Sequence, residues 1–252
     1  MDLGLTGARA IITGGSRGIG FWAAKALMAE GASLAICARD AAGLASAAEE
    51  LRTLGSGTVF TRPTDLANGA DVKAFTTEAI AALGGLDILI HNASGFSSPG
   101  DEGWQKSLEI DVLAAVRALE VAQPALEASG KGAVLFIGST ASIQWFGRAS
   151  SYGPAKAAMR VYANEMGQVL GRKGIRVNVL SPGATWLPGG SWDKVKQAQP
   201  DFYRGVEKSI PFGRLGTGEE VARAITFLVS PAASWINGTH LIVDGGQHIG
   251  VA

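Results

Sequence analysis

Seven short apolar segments recur along the chain, and longer segments with helical periodicity separate them. The apolar segments are nearly continuous in hydrophobicity, which is typical of strands buried on both faces. They are Ala8–Thr13, Ser33–Cys37, Thr58–Thr61, Leu86–His91, Ala133–Gly138, Arg176–Leu180 and His240–Val243. The predicted helices are Phe21–Ala29, Ala41–Leu54, Val72–Leu83, Trp104–Ala128, Ser151–Leu170 and Glu219–Val229. This alternation predicts a doubly wound α/β fold, with about seven parallel strands and helices on both faces.

The segment 184–212 interrupts this alternation, and no helical periodicity stands out within it. It holds three prolines and five aromatic residues, among them Trp186 and Trp192. Long connections in compact domains usually carry function, and this one follows a strand whose carboxyl end is where ligands bind in open α/β sheets. We therefore predict one domain over residues 1–252 in which 184–212 is a substrate loop or lid.

Composition and charge narrow the functional class. Lys plus Arg and Asp plus Glu number 22 each, so the formal net charge is zero, which argues against a broad nucleic-acid or anionic-membrane surface. Neither a signal peptide nor an apolar run of membrane-spanning length is visible, and we expect a soluble cytoplasmic protein. The single cysteine, Cys37, lies in an apolar stretch and is expected to be a buried structural thiol.

The first predicted strand ends in a glycine-rich turn, TGGSRGIG, which opens a helix. Glycines allow the backbone to approach a pyrophosphate closely, and the free N–H groups of a helix N-terminus attract phosphate. Tight turns also use glycine, but the position between strand and helix favours dinucleotide binding. The predicted cofactor contacts in this turn are Thr13, Gly14, Ser16, Arg17, Gly18, Ile19 and Gly20.

Two arginines indicate which dinucleotide binds. Ala38 ends the second strand, where a fold that selects NAD(H) usually places an acid for the ribose hydroxyls. Arg39 follows it, and together with Arg17 it could grip a 2′-phosphate. Asp40 is expected to cap the next helix instead. The sequence favours NADP(H), with NAD(H) as the alternative, and Arg39 could also be only a solvated surface charge.

Tyr152, Lys156 and Ser139 are the candidate catalytic residues. Tyr152 and Lys156 are four residues apart and share a helix face. A phenol ordinarily ionises near pH 10, but a neighbouring ammonium favours the phenolate, and such a tyrosine can exchange a proton with a carbonyl or alcohol oxygen. Ser139 ends the fifth strand and could hold that oxygen, although it could also only cap local backbone. No metal-ligand cluster and no hydrolase nucleophile elbow are visible.

Taken together, these motifs resemble the short-chain dehydrogenase/reductase family over nearly the whole chain, from Ala8 to Gly246. The matching motifs are the glycine turn, Asp65-Leu66, His91-Asn92-Ala93-Ser94, the Ser139, Tyr152 and Lys156 set, Pro182-Gly183 and Asp244-Gly245-Gly246. Phe212-Gly213-Arg214-Leu215, with Glu219-Glu220-Val221-Ala222, is similar to the same region of bacterial 3-oxoacyl carrier-protein reductases.

The resemblance implies a Rossmann-type domain and an NADP(H)-dependent oxidoreductase that acts on a carbonyl/alcohol pair. It implies further cofactor contacts from Asp65, Leu66, Asn92, Ala93, Tyr152, Lys156, Pro182, Gly183 and Thr185. It also implies a homotetramer, to which the apolar end 249–252 could contribute. The aromatic residues Phe96, Trp145, Phe146, Trp186 and Trp192 are candidates for a partly apolar substrate pocket, or for lid and subunit packing.

Three departures from the family pattern stand out. Asp111 occupies the place of a catalytic Asn whose backbone carbonyl holds a water in a proton relay, and its carboxylate could pair with Lys156 or alter the relay. His91 and Ser94 replace the first Asn and the Gly of the NNAG segment. Leu187 stands where relatives often carry a Thr, for which Thr185 could substitute.

Two alternatives remain open at this point. The chain could be a catalytically silent NADP-binding regulatory or scaffold protein, which Asp111 and Ser94 slightly favour and the intact Ser–Tyr–Lys set opposes. It could also be an enoyl reductase of the same family, although those enzymes usually space Tyr and Lys more widely.

Overall fold

The parallel sheet that the sequence predicts is present in the structure, a computed structural model that describes residues 2–96, 99–147 and 149–250. Nine strands occur in these ranges: β1 Arg9–Thr13, β2 Ser33–Ala38, β3 Val59–Pro63, β4 Ile88–His91, β5 Ala133–Ile137, β6 Arg176–Pro182, β7 Thr185–Trp186, β8 Gly216–Thr217 and β9 His240–Val243. Seven of them form one parallel sheet in the order β3-β2-β1-β4-β5-β6-β9, and β7 pairs with β8.

Helices cover both faces of the sheet. They are α1 Gly18–Ala29, α2 Ala41–Arg52, α3 Gly69–Leu83, α4 Gly100–Ser107, α5 Ala114–Ser129, α6 Tyr152–Gly171, α7 Ser191–Ala198, α8 Pro200–Ser209 and α9 Gly218–Val229. Apolar residues of α1, α2 and α9 pack on one face, and those of α3, α5 and α6 pack on the other. Successive strand residues divide between the two cores, as with Ile11 and Ile12 in β1. The doubly wound fold is therefore confirmed.

Two short-range predictions are also confirmed. Cys37 is fully buried, and burial raises the pKa of its thiol to about 12, so it is an inert core residue. The carboxylate of Asp40 accepts hydrogen bonds from the backbone N–H groups of Ala42 and Gly43, and so caps α2.

The predicted helix Trp104–Ala128 is longer and less regular than expected. The helical segment begins at Gly100 and contains a π-helical stretch, Leu108–Leu113, between α4 and α5. Such stretches arise where a helix must accommodate an extra residue, and they are frequent at functional sites. Asp111 lies within this stretch and is fully buried. The irregularity thus coincides with a departure from the family pattern.

The expectation of a helix-free loop over 184–212 is wrong. The segment contains β7 and the two helices α7 and α8, and Pro200 stands at the start of α8. These elements are held by a small core of their own, in which Trp192 packs against Tyr203. The helices were missed because each is short and contributes few residues to that core. Among the described residues, no helix combines the length and the apolar composition that a membrane span requires.

Candidate active site

The candidate site lies at the carboxyl ends of β1 and β4, which are neighbours in the sheet although three helices of sequence separate them. The order of strands reverses here, and such a switch point leaves a crevice for a ligand. Thr13 and His91 are paired in register at these two strand ends. The glycine turn continues from Thr13, and the Asn92–Ser94 segment continues from His91.

His91 is buried and joins the nucleotide side of the site to the π-helical stretch. One ring nitrogen, Nε2, lies 3.0 Å from the carbonyl oxygen of Ile110, and the other, Nδ1, lies 3.0 Å from Thr13 Oγ1. A carbonyl can only accept, so we infer that Nε2 carries the proton and that the Thr13 hydroxyl donates to Nδ1. The same hydroxyl oxygen accepts from the backbone N–H of Asn92 at 3.1 Å.

The surroundings of His91 favour the neutral ring. Burial and then the nearby charge of Lys156 lower the pKa of His91 to about 4, against smaller opposing effects of Asp111 and of the Ile110 hydrogen bond. The imidazole therefore stays neutral across the ordinary working range of pH, which keeps the Thr13 and Ile110 hydrogen bonds intact.

The glycine turn is shaped for close approach of another molecule or of neighbouring backbone. Gly14 and Gly18 have φ angles of +67° and +63°, which favour glycine. A Cβ at Gly20 would lie 2.4 Å from both the Gly14 carbonyl oxygen and Asn92 Nδ2, so any side chain there would clash. Asn92 also donates from Nδ2 to the Gly14 carbonyl at 3.0 Å, which holds the turn against β4. These features fit the phosphate cradle that the sequence predicts.

Arg17 and Arg39 are exposed beside this turn, and neither forms an ion pair with another residue in the described ranges. Arg39 directly follows β2, next to the Asp40 cap. Further along this edge, Leu66 is buried, and Asp65 is exposed and accepts from the Ala67 N–H at 3.1 Å. The chain therefore presents two free guanidinium groups at the edge where a 2′-phosphate is predicted to bind.

Lys156 forms a buried ion pair with Asp111. Its Nζ lies 2.9 Å from Asp111 Oδ1, and the two side chains are 3% and 0% exposed. The ammonium donates its hydrogen bond to the Ile137 carbonyl oxygen at 2.9 Å. Its contact with Asp111 Oδ1 is therefore electrostatic, and the geometry is not that of a hydrogen bond. The second carboxylate oxygen accepts from the Gly95 N–H at 2.8 Å. Of the two possibilities raised for the Asp111 carboxylate, pairing with Lys156 is the one that the structure contains.

Tyr152 opens α6 next to this pair. Lys156 Nζ lies 5.7 Å from the centre of the Tyr152 ring. Ser151, just before it, is buried, donates to the Gly103 carbonyl at 3.0 Å and lies 2.8 Å from Ser107 Oγ. These hydroxyl contacts fasten the start of α6 to α4, and so fix where the phenol stands.

Ser139 follows β5 and is half-buried. Its Oγ accepts from the Ala141 N–H at 3.1 Å and caps a short 3₁₀ turn, Thr140–Ser142. A Cβ at Gly153 would lie 2.7 Å from the Ala141 carbonyl oxygen, so glycine at 153 lets the first turn of α6 rest on the segment after Ser139. The fold thus brings the segments of all three candidate catalytic residues together. Ser139 therefore does cap local backbone, as one alternative had it. Because its oxygen accepts in this cap, the hydroxyl hydrogen stays free to donate.

The Pro182-Gly183 turn packs on the C-terminal Asp244-Gly245-Gly246 turn. A Cβ at Gly183 would lie 2.5 Å from Asp244 Cβ, and the Gly183 N–H donates to the Val243 carbonyl at 3.0 Å. Thr185 is buried and donates from Oγ1 to the Gly183 carbonyl at 3.1 Å. The Thr185 hydroxyl therefore stabilises the Pro182-Gly183 turn.

The aromatic candidates for substrate contact do not form one cluster. Phe96 and Trp145 are 64% and 68% exposed, Phe146 and Trp186 are also exposed, and Trp192 stacks on Phe202 inside the α7–α8 unit. Phe96 has a φ of +48°, which is unusual for a residue with a side chain. Of the five, Trp145 lines a cavity, together with residues 141–144, Arg160 and His248.

Sequence reasoning missed several groups that hold the site. The Gly95 N–H and the Ile137 carbonyl are backbone atoms and carry no sequence signal. Gln247 accepts from the Ala184 N–H at 2.7 Å and is buried beside the Pro182-Gly183 turn. Its position three residues after Asp244 was the only available hint. No cluster of His, Cys, Asp and Glu suited to a metal occurs in the part of the chain that the structure describes.

Comparison with known proteins decides the family. Residues 14–248 match the family model described as enoyl-(acyl carrier protein) reductase. Isoepoxydon dehydrogenase of Penicillium expansum is 34% identical over 99% of this chain and 98% of its own length. The chain belongs to the short-chain dehydrogenase/reductase family.

Solved structures agree with this assignment. L-sorbose reductase of Gluconobacter frateurii, complexed with NADPH and L-sorbose, superposes with a TM-score of 0.90 at 30% identity, over 98% of each chain. A 7α-hydroxysteroid dehydrogenase complexed with NADH, an enzyme also known from Escherichia coli, superposes with a TM-score of 0.88 at 32% identity, over 97% of this chain and 96% of that chain. The resemblance and the oxidoreductase class that the sequence predicts are confirmed, and relatives in the family bind either nicotinamide cofactor.

We predict that His91 makes the folded state sensitive to acid. Its pKa is lower in the folded protein than the ordinary value near 6.5, so the unfolded chain binds the additional proton as pH falls from 6.5 towards 4. Unfolding free energy should fall over that window by up to about 3 kcal/mol through this residue. Denaturant titrations at a series of pH values measure it.

The comparison variant is His91→Asn, which restores the side chain usual in the family. Its stability should depend less on pH between 6.5 and 4 than that of the wild type. Identical pH dependence in wild type and His91→Asn would show that His91 is not the sensitive group.

Proposed function

We propose that this chain is an NADP(H)-dependent oxidoreductase that interconverts a carbonyl and a secondary alcohol on a small, partly apolar substrate. The observation that supports this most is the buried Lys156–Asp111 pair beside the Tyr152 ring. A buried charge pair is costly to maintain, and short-chain dehydrogenases use the Tyr and Lys of this helix turn for proton transfer. When bound, the nicotinamide would supply or accept the hydride.

Tyr152 is the proposed general acid in the reducing direction. Its phenol would donate the proton that the carbonyl oxygen needs as the carbon gains hydride, and it would take the proton back in alcohol oxidation. The hydrogen bond from Ser151 to the Gly103 carbonyl fixes the start of α6 and so positions the Tyr152 phenol, whose own hydroxyl takes no part in that bond. Ser139, whose hydroxyl hydrogen is free, would donate to the same substrate oxygen and orient it.

Lys156 is proposed to act on both the cofactor and the phenol. An ammonium has three donors, and the Ile137 carbonyl takes one of them. The others can reach the nicotinamide ribose, while the positive charge beside the ring favours the phenolate. Asp111 is the proposed anchor of this ammonium, because its carboxylate is itself fixed by the Gly95 N–H.

The cofactor is proposed to bind along the carboxyl ends of the strands, across the switch point between β1 and β4. The glycine turn, with Thr13, Gly14, Ser16, Gly18, Ile19 and Gly20, would take the pyrophosphate. Asp65 and Leu66 would flank the adenine, and Asn92, Ala93, Pro182, Gly183 and Thr185 would flank the nicotinamide half. The preference for NADP(H) depends on the unpaired guanidinium groups of Arg17 and Arg39. It is consistent with the NADPH complex of the sorbose reductase, and the NADH complex of the hydroxysteroid dehydrogenase shows that the fold does not dictate it.

The proposal also covers the substrate segment, the oligomeric state and the cellular location. Segment 184–212 would cover the substrate, with Trp186 and Trp145 at the pocket and Phe96 and Trp192 at its margin. A homotetramer and a cytoplasmic location are expected from the family. The silent regulatory alternative gains nothing from the structure, since Asp111 pairs with Lys156 rather than displacing it.

We predict that Tyr152→Phe abolishes most turnover and leaves NADPH binding intact. Loss of the proton donor should lower kcat by about 10²- to 10⁴-fold, because the ring stays and only the hydroxyl is removed. NADPH oxidation across a panel of ketones, β-ketoesters, quinones and cyclic diketones measures turnover, and fluorescence titration measures NADPH affinity. Tyr162→Phe, on the same helix, is the matched control and should keep wild-type rates. A Tyr152→Phe enzyme with most of its activity would disprove the acid assignment.

We predict that Arg39→Asp shifts the cofactor preference towards NADH. The substitution removes a charged donor to the 2′-phosphate and introduces an acid suited to ribose hydroxyls, so the NADPH/NADH ratio of kcat/KM should fall at least about tenfold. Arg172→Asp makes the same charge change at the C-terminus of α6, at the opposite edge of the sheet, and should leave the ratio unchanged. An unchanged ratio in Arg39→Asp would mean that Arg39 does not select the cofactor.

A further inference from the structure

We infer that Arg160 and His248 form an anion-binding subsite in the substrate pocket, which selects carbonyl substrates that carry a carboxylate. The inference rests on the proposed function, because it assigns a substrate class to the same pocket. Three observations support it: a cavity, a guanidinium in its wall that pairs with no acid among the described residues, and two buried polar atoms that find no hydrogen-bond partner there.

The cavity has a volume of about 490 Å³ and opens to solvent. Small-molecule sites in proteins generally measure about 300–1,000 Å³. Five consecutive residues, 141–145, form one wall, Arg160 of α6 forms another, and His248 of the C-terminal segment closes it. Its size therefore suits a small organic substrate.

This cavity adjoins the proposed reacting groups. Its first wall starts two residues after Ser139, whose hydroxyl oxygen caps the turn that forms the wall. Arg160 stands on α6 at a spacing of four residues from Lys156 and eight from Tyr152, so all three share a helix face. Eight residues span about 12 Å along a helix, which is within the reach of one small substrate.

No acidic side chain among the described residues pairs with the guanidinium in this cavity. Arg160 is half-buried and forms no ion pair in the ranges that the structure describes. His240 lies nearby, and its pKa is lowered by burial first and then by the charges of Arg160 and His248. Asp244, the acid nearest to His248 in sequence, accepts from the backbone N–H groups of Gly246 and His248. A guanidinium that is partly withdrawn from water gains from a charged partner, so an external anion would stabilise Arg160 here.

Two residues of the cavity wall, Ser142 and Gln144, hold polar atoms that the described residues leave without hydrogen-bond partners. Ser142 Oγ and Gln144 Oε1 are both buried and lack a hydrogen-bond partner among the described residues. The serine hydroxyl can donate, and rotation of the glutamine amide would present its NH₂ group instead of the oxygen. Together with the planar fork of Arg160, these donors match the two oxygens of a carboxylate.

The test compares 3-oxocyclohexanecarboxylate with its methyl ester, which is the same ketone without the charge. Reduction is followed as NADPH oxidation in the wild type, Arg160→Gln, Arg160→Lys and the control Arg223→Gln, whose guanidinium contacts Glu219 on α9. In Arg160→Gln the acid/ester ratio of kcat/KM should fall at least about tenfold, the loss expected for one charged hydrogen bond. Arg160→Lys should recover part of it, and Arg223→Gln should keep the wild-type ratio. An unchanged ratio in Arg160→Gln would overturn the subsite.

A failure of the proposed reductase activity can be told apart from a failure of the anion subsite. If the wild type reduces neither compound, calorimetric titration with cyclohexanecarboxylate still tests the subsite in the NADPH-bound protein. Affinity should be at least about tenfold weaker in Arg160→Gln than in wild type. Equal affinity in the two proteins would overturn the subsite, and inorganic phosphate that binds more tightly than the carboxylate through Arg160 would overturn the choice of carboxylate.

Discussion

The arrangement of this site depends on one buried ion pair, Lys156 with Asp111. Two charges removed from water are tolerated only when they face each other and their remaining hydrogen-bonding capacity is met, and deletion of one partner typically costs about 3–5 kcal/mol. Here the Ile137 carbonyl serves the ammonium and the Gly95 N–H serves the carboxylate. The π-helical stretch carries Asp111, and α6 carries Lys156. The pair therefore joins the ends of β4 and β5 to the π-helical stretch and α6, beside Tyr152.

The parallel sheet determines why these groups meet. All seven strands deliver their carboxyl ends to one edge, and the reversal of order between β1 and β4 opens a crevice there. His91 spans that crevice in its neutral form, from Thr13 beside the glycine turn to the Ile110 carbonyl next to Asp111. A continuous set of polar contacts thus runs from the predicted phosphate cradle to the ion pair. A substitution at His91 would disturb both halves of the site.

Most of the fold could be predicted from the sequence, because strands buried on both faces and glycine turns leave strong local patterns. The α7 and α8 helices were missed because their pattern is short and their small core, around Tyr203, forms only in three dimensions. In the site, the acid at position 111, where the family has Asn, raised the pairing with Lys156 as one of two possibilities, whereas the backbone groups of Gly95 and Ile137 have no sequence signature. The cavity at Arg160 was also missed, since nothing local marks an arginine whose partner is absent.

In the proposed reaction, hydride would reach a carbonyl carbon while Tyr152 supplies the proton to oxygen. The most direct test uses NADPH with deuterium at both C4 positions of the nicotinamide and a cyclic enone such as 2-cyclohexen-1-one, followed by mass spectrometry and NMR of the product. The account predicts an allylic alcohol with deuterium on the carbinol carbon. A saturated ketone with deuterium on the carbon β to the carbonyl would contradict it, and would show that the protein reduces C=C bonds, as the description of its family model suggests.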